Sequence, residues 1–308
     1  MRQQENWPRI AVVGAGAVGG YFGGLLARAG APVVMIGRKS FVEAVKTQGI
    51  FLDTLDFKEF VPVEASTELG AARGVDIVLL CVKTLDTAAT VRELAPHLAP
   101  EAIVLSLQNG VDSVEQIQAT VKNAAFQAVV YVAASVPEPG RIKHVGRGDL
   151  VIGPETEQTK MLAALVARAG IPCRISANID GELWTKLIWN CALNAISALG
   201  RAKYRRMSEN PDARQLMETV IHEVLAVANA ARVVLPGIAD EKAAMAGAMR
   251  IATQMAEAMS STAQDLSRGK FTEIDSLNGF IVRRGTELGI ATPVNHALFT
   301  LVKLAEAR

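Results

Sequence analysis

The stretch Arg9-Ile-Ala-Val-Val-Gly-Ala-Gly-Ala-Val-Gly-Gly20 decides how the first half of the chain folds. After Arg9 the residues up to Val13 are all apolar, which reads as a short buried strand. They run directly into Gly14, Gly16 and Gly19, the spacing G-x-G-x-x-G. A helical pattern follows from Ala17 to Ala29 and stops at Gly30 as a C-terminal cap, and Pro32-Val-Val-Met-Ile36 is then a second strand. A strand before and a helix after are the context that gives the glycine spacing meaning. Gly14 permits the tight turn, Gly16 lets backbone approach a pyrophosphate, and Gly19 lets the helix close on its strand. Backbone N–H groups of the turn and helix start, through Ala15, Ala17 and Val18, then face phosphate oxygens. The alternative is a tight turn with no ligand.

Working outward, the end of the second strand distinguishes one dinucleotide from another. An NAD site places Asp or Glu there to hold the ribose 2′-hydroxyl. This chain has Ile36-Gly37-Arg38-Lys39-Ser40. A planar guanidinium suits a 2′-phosphate, so NADP(H) is the expected cofactor. The competing assignment makes Arg38 a solvated residue at a helix start. Val75–Val82, Ala102–Leu107 and Ala125–Ala133 are further apolar runs, as in a parallel sheet covered on both faces. Ligand groups gather beyond the carboxyl ends of such strands. Lys83-Thr84 and Gln108-Asn109-Gly110 stand at two of those ends. Lys83 is either a loop charge or a cofactor contact. Asn109 is either a turn former before Gly110 or a contact to nicotinamide, ribose or substrate. Around Pro137-Glu-Pro-Gly140 the rhythm changes to hairpin-like pieces, 141–144 and 149–153. His144 is placed there on a sheet edge, beside Arg141, Lys143 and Arg147, with no catalytic part.

Bulk properties bound the class. At 308 residues the chain suits two domains, and half its residues are hydrophobic. With 32 basic against 31 acidic residues there is no general pull toward nucleic acid or anionic membrane. Aromatic residues are only 5%, and no basic stripe interleaves with them, so a nucleic-acid partner is not expected. Cys81, Cys173 and Cys191 sit in apolar runs without paired or metal-type spacing, and four scattered histidines show no ligand spacing either. No metal is expected. No apolar stretch is long enough to cross a bilayer, and the polar residues before Ile10 read as a loose tail. The cytoplasm is the expected location.

The second half reads as helices over 180–199, 211–232, 238–264 and 272–289, with Pro211, Pro236 and Gly269 as punctuation. The expected architecture is therefore an α/β Rossmann-type dinucleotide-binding domain over 1–176 and an all-α domain over 177–308. Met245, Met249, Met255 and Met259 fall on one helix face and read as packing. In Asp180–Ser197, apolar side chains occupy almost every helical angle, yet Lys186, Asn190 and Asn194 fall at i, i+4 and i+8. That stripe drifts by only ~40° per step. A buried ammonium needs partners, from the protein or from a ligand. A Glu182–Lys186 pair with two satisfied core amides is the structural reading of the same stripe. Thr272-Glu-Ile-Asp275 likewise has the form of a capping box, in which Glu273 complements a helix dipole.

Taken together these stretches resemble the ketopantoate reductase (2-dehydropantoate 2-reductase) family over essentially the whole chain. The matching pieces are Val13–Gly20, Val82-Lys83-Thr84, Gln108-Asn109-Gly110, Glu182–Asn194, Ser261 with Gln264-Asp265, Thr272–Phe280 and Gly289–Pro293. The resemblance implies NADPH-dependent reduction of the ketone of a small 2-oxo acid, ketopantoate, in pantothenate and coenzyme A synthesis. Lys186 matches the family's proton donor and Glu273 a carboxylate that meets both chemistry and cofactor. Asn190, Asn194 and Ser261 match substrate contacts. Asn109 matches a residue touching both cofactor and substrate, and Lys83 and Ala134 match cofactor contacts. A homodimer is the assembly the resemblance allows. The chemistry is consistent: hydride reaching a ketone leaves an alkoxide, and a lysine ammonium can protonate it while stabilising its charge.

One stretch departs from the family pattern. Gly200-Arg-Ala-Lys-Tyr-Arg-Arg-Met207 stands where a substrate-binding asparagine is expected, and Tyr204 or a neighbour takes that place. A reductase of another 2-oxo acid is therefore the enzymatic alternative. A non-catalytic NADP(H) sensor is the alternative from a different class, which Lys186 with Glu273 and the asparagines argues against.

Overall fold

A computed structural model describes residues 7–306, and the chain falls into two units. One takes the chain as far as Gln108 and again from Asp112 to Ile179. The other takes Asn109–Val111 and everything from Asp180 on. Of the tail expected ahead of the first strand, residues 1–6 lie outside the described residues. Trp7 is packed, with the Arg168 guanidinium 3.9 Å from its ring centroid.

The first unit runs β1 (Ile10–Val13), α1 (Ala17–Arg28), β2 (Val33–Ile36), α2 (Lys39–Val45), β3 (Ile50–Asp53), β4 (Lys58–Val61), β5 (Glu64–Ser66) and β6 (Ile77–Leu80). It continues with α3 (Thr87–Leu94), β7 (Ile103–Ser106), α4 (Ser113–Gln118), β8 (Ala125–Ser135), β9 (Arg141–Gly153), α5 (Glu157–Arg168) and β10 (Cys173–Ile175). Strands order β5-β2-β1-β6-β7-β8, all parallel, as in a Rossmann sheet. The sheet goes on through β9, antiparallel to β8, to the β3–β4 hairpin, while β10 pairs with β9. The apolar runs have a simple cause. Ile10 and Val12 of β1 face one core with α1 and α5, while Ala11 and Val13 face the other with α3 and α4. A strand covered on both faces has no polar side to show.

Two expectations change here. Residues 141–144 and 149–153 are one strand rather than separate pieces, bent by a bulge at Arg147 (φ 55°) and Gly148 (φ 136°). His144 pairs with Ala134 of β8 one residue past the end of the β3–β9 ladder, and it is not displayed to solvent as an edge residue would be. Its ring is buried and stacks on Tyr21 with centroids 4.5 Å apart. The structure adds β3, β4 and β5, strands of only three or four residues.

The second unit holds α6 (Ile179–Gly200, its first residue in the first unit), α7 (Tyr204–Glu209), α8 (Pro211–Ala230), α9 (Glu241–Gln254), α10 (Ser261–Ser267), α11 (Asn278–Leu288) and α12 (Pro293–Glu306). Its core joins α6, α7, α8, α9, α11 and α12. The helix expected over 238–264 is two helices. In the break between them, the Ala256 and Ala258 carbonyls accept from the N–H groups of Arg205 and Tyr204 at 2.9 and 3.0 Å, at the start of α7. Met245 and Met249 pack on the core, whereas Met255 is exposed in the break, so the methionine stripe does not continue. The helix expected from 272 starts at Asn278, after a 3-10 turn over Ile274–Ser276. Helix α12 was not anticipated. Its N-terminus is met by Glu223 of α8, whose carboxylate accepts from Val294 N–H at 2.8 Å and Asn295 N–H at 2.9 Å.

Candidate active site

The glycine turn in the first unit has the shape of a pyrophosphate cradle. Gly14 follows β1 with φ +103°, which a side chain would strain, and a Cβ there would come within 2.6 Å of the backbone of Cys81 and Val82. The chain leaving β6 thus lies against the turn, where the strand order reverses between β1 and β6. Gly16 is the N-cap of α1 with no side-chain cap, and nothing stands within 4 Å of where its Cβ would be. A Cβ on Gly19 would collide with the Gly14 carbonyl and sit 3.0 Å from Val12. Ala15 N–H is engaged by the Ile36 carbonyl at 3.2 Å and Gly16 N–H by Gly14 O at 2.8 Å. The donors at the start of α1, from Ala17 through Val18, are those a helix leaves without intrahelical partners. One glycine for the turn, one bare toward open space and one for helix closure fit a dinucleotide.

Arg38 is exposed, directly after β2 and at the N-cap of α2. Among the described residues its guanidinium makes no hydrogen bond or ion pair. Lys83 is half-buried just past β6. Ala134 lies in β8 opposite His144. Gln108 is buried beyond β7 and is a functional residue that spacing and period do not single out. Its amide donates to Val82 O at 2.9 Å and to Thr87 Oγ1 at 2.7 Å, fixing the strand end from which Asn109 departs. A polar residue at the end of an apolar run was its signal.

In the second unit the stripe on α6 meets partners far away in sequence. Lys186 Nζ donates to Asn109 Oδ1 at 3.0 Å, and Asn109 Nδ2 donates to Glu273 Oε2 at 2.7 Å. The amide thus turns its oxygen to the ammonium and its nitrogen to the carboxylate, the orientation that stabilises both charges. All three residues are half-buried. Asn190 and Asn194 continue the stripe one and two turns on. Among the described residues neither side chain makes a hydrogen bond, although Asn194 is only 5% exposed. Asn190 is half-buried, and the two amides offer neutral donors and acceptors to a ligand. Ser261 stands exposed at the first position of α10. Its neighbour Ser260 is the residue that binds α6, donating to Asn194 O at 3.0 Å and capping Ala263 N–H at 3.1 Å. Glu273 does not cap a regular helix. Thr272 Oγ1 accepts from Ile274 N–H at 3.2 Å, two residues on rather than three.

Tyr204 lies in the core of the second unit, its phenol pushed up to about 12 by burial. Cys81 and Cys191 thiols are likewise raised by burial, as inert small hydrophobes are. Among the described residues no cluster of His, Cys, Asp or Glu could hold a metal, and no helix is long and apolar enough to cross a membrane.

A turn built for a dinucleotide and an ammonium held on an amide–carboxylate pair belong to one class of protein, the nicotinamide-dependent oxidoreductases. Comparison with known proteins narrows the class. Residues 10–157 match the family model described as ketopantoate reductase PanE/ApbA, and residues 178–306 match its C-terminal counterpart. The chain belongs to the ketopantoate reductase family, which uses NADPH. A 2-dehydropantoate 2-reductase of Pyrobaculum aerophilum is 35% identical over 298 residues, 97% of this chain and 98% of that one. A PanE/ApbA family ketopantoate reductase structure from Ralstonia eutropha is 47% identical with a TM-score of 0.92, covering 97% of this chain and 98% of that one. A D-mandelate dehydrogenase bound to NADH and anilino(oxo)acetate shares the fold at 24% identity and a TM-score of 0.90, over 97% and 98% of the two chains.

Proposed function

We propose that this protein reduces the ketone of 2-dehydropantoate to the hydroxyl of pantoate with NADPH, Lys186 giving the proton. The observation that carries the reading is the Lys186–Asn109–Glu273 chain, with Asn190 and Asn194 continuing the same helix stripe. Bound NADPH supplies the hydride. Gly14, Gly16 and Gly19 bring backbone to its pyrophosphate, Ala15, Ala17 and Val18 line the same turn, and Arg38 pairs with the 2′-phosphate. Lys83, Ala134 and Glu273 complete the cofactor contacts. Hydride addition turns the carbonyl oxygen into an alkoxide, and the Lys186 ammonium both attracts that charge and transfers a proton to it. Asn109 holds the ammonium through its Oδ1, and Glu273 fixes which way the Asn109 amide points. Asn190, Asn194 and Ser261 bind carboxylate and hydroxyl oxygens with neutral donors and acceptors, so no added charge competes with Lys186.

One observation favours a second substrate within the same chemistry. Gly200–Met207 departs from the family pattern at the place of a substrate-binding asparagine, and Tyr204 there is packed into the helical core, where its ring does not replace the amide. A 2-oxo acid with a different side chain would fit that change. The cytoplasm and a homodimeric assembly go with the proposal, and light scattering on purified protein reads the second directly.

The test is NADPH oxidation by the purified protein with 2-dehydropantoate beside a panel of 2-oxo acids, with Lys186→Ala as control. A preference for 2-dehydropantoate that the variant abolishes supports the reading. Turnover of another 2-oxo acid alone moves the assignment to the second substrate. NADPH binding without any turnover would leave a sensor in its place.

A further inference from the structure

Two side chains in the last turns of α12 hold the segment that carries Glu273. Glu306 Oε1 accepts from Thr272 N–H at 2.7 Å and from the Thr272 hydroxyl at 2.5 Å. Lys303 Nζ donates to Asp275 Oδ2 at 2.9 Å and pairs with Glu306 Oε2 at 2.9 Å. Glu273 is therefore bracketed, its preceding residue tied to Glu306 and the residue two further on tied to Lys303. The Thr272–Glu306 arm is buried, with Thr272 at 0% exposure and the Glu306 side chain at 2%, while the Lys303–Asp275 arm is partly exposed. Burial raises the Glu306 carboxyl, yet hydrogen bonds from Thr272 and Lys303 outweigh it and hold the group below the usual carboxylate range. It is thus an ionised acceptor at neutral pH.

The bracket matters because of where Glu273 sits. It precedes a 3-10 turn of three residues, Ile274–Ser276, and no regular helix ladder fixes its backbone. We propose that Glu306 and Lys303 are positioning residues for the reaction: they set Glu273, which sets the Asn109 amide, which sets the Lys186 ammonium. The inference rests on Lys186 as proton donor. Charged groups must be held to about 0.5 Å for productive geometry, and a shift of ~1 Å costs up to a hundredfold in rate.

The experiment compares wild type, Glu306→Ala, Glu306→Gln, Lys303→Met and Leu304→Ala, the last an exposed control on the same helix. For each, kcat and KM for NADPH and 2-dehydropantoate are measured from about pH 6 to pH 10, below the variant's own melting transition. Amide hydrogen exchange of residues 272–276 is followed in parallel. Glu306→Ala is expected to lower kcat about tenfold and displace the alkaline limb of its pH profile, with KM for NADPH within about twofold. Exchange at 272–276 should rise. Glu306→Gln, which keeps an acceptor for Thr272, should fall between, and Leu304→Ala should match wild type. A Glu306→Ala protein that melts earlier but keeps wild-type kcat and pH limb overturns the inference and leaves the bracket merely structural. If wild type reduces no 2-oxo acid, or Lys186→Ala remains active, the donor assignment fails and the inference falls with it. The first failure comes with an active wild type and an inactive Lys186→Ala, whereas the second comes with an inactive wild type or an active Lys186→Ala, so the two are distinguishable.

Discussion

At the scale of single residues, the half-buried Lys186 ammonium is the group whose loss should cost most. General acid catalysis contributes about 10²–10⁴-fold, so Lys186→Ala should lower kcat by that order while the dissociation constant for NADPH stays near wild type. Fluorescence titration of NADPH checks the second half, and a large loss of affinity would remove Lys186 from the donor role. Arg38 offers a cleaner discrimination. Its guanidinium is exposed and has no partner among the described residues, so replacing it disturbs no internal contact. Charge-assisted hydrogen bonds contribute about 1.5–3 kcal/mol, so Arg38→Asp should raise KM for NADPH roughly tenfold to a hundredfold. NADH should be affected far less. Equal losses for both cofactors would contradict contact with the 2′-phosphate.

At the scale of elements, α1 and α12 show opposite ways of fixing a helix. Helix α1 closes on the sheet through absent side chains: a Cβ on Gly19 would strike the Gly14 carbonyl, and one on Gly23 would lie 2.7 Å from Val12. Backbone cannot rotate away as a flexible side chain can. Gly19→Ala should therefore destabilise by about 1–3 kcal/mol and weaken NADPH binding together, read from thermal unfolding and titration. Helix α12 is held instead by a carboxylate from another helix. Glu223, 6% exposed, accepts from Val294 N–H, Asn295 N–H and, at 2.7 Å, Asn295 Nδ2. Asn295 in turn accepts from Asn278, which also donates to Cys191 O of α6 at 3.3 Å. Glu223→Ala leaves several buried donors unpaired at about 1–3 kcal/mol each. We expect a fall in unfolding midpoint larger than that of a surface substitution on α8 such as Glu218→Ala, by calorimetry.

At the scale of the whole molecule, the two units have separate apolar cores, two on the faces of the sheet and one among the helices. Among the described residues, the carboxylates held below their usual range, Glu257 and Glu306, lie in the helical unit. For Glu257 the cause is hydrogen bonds from Lys203 and Arg205; for Glu306, burial pushes upward but Thr272 and Lys303 prevail. A depressed folded value means stability that is present above the unfolded value and lost as pH falls through the folded one. Burial lowers Lys303 but its bonds with Glu306 and Asp275 raise it on balance, so its share is lost only as pH rises through that raised value. Calorimetric scans between about pH 3 and pH 7 should thus show the helical unit losing stability as acid is added. An unfolding midpoint for that unit independent of pH would contradict the assignment of these pairs.

The Rossmann half was legible because its signals are local. Each glycine of the turn acts within a few residues of itself, and a strand buried on both faces must be apolar throughout, so composition alone reveals it. The polar stripe on α6 was legible for the same reason, since helical period places Lys186, Asn190 and Asn194 in line. What answers that stripe was not readable from spacing or period. Asn109 stands 77 residues before Lys186, and Glu273 lies 164 residues beyond Asn109. Asn109 follows β7 and Glu273 precedes the 3-10 turn over Ile274–Ser276, and neither carries a local mark of the other. The broken helix at Met255 and the late start of α11 have the same origin, because carbonyls and hydroxyls there are claimed by Tyr204, Arg205 and Glu306 from other elements. Local chain chemistry determines strands, turns and the face of a helix. Only tertiary packing decides which distant donor meets which acceptor, because hydrogen-bond partners are chosen in space and not along the chain.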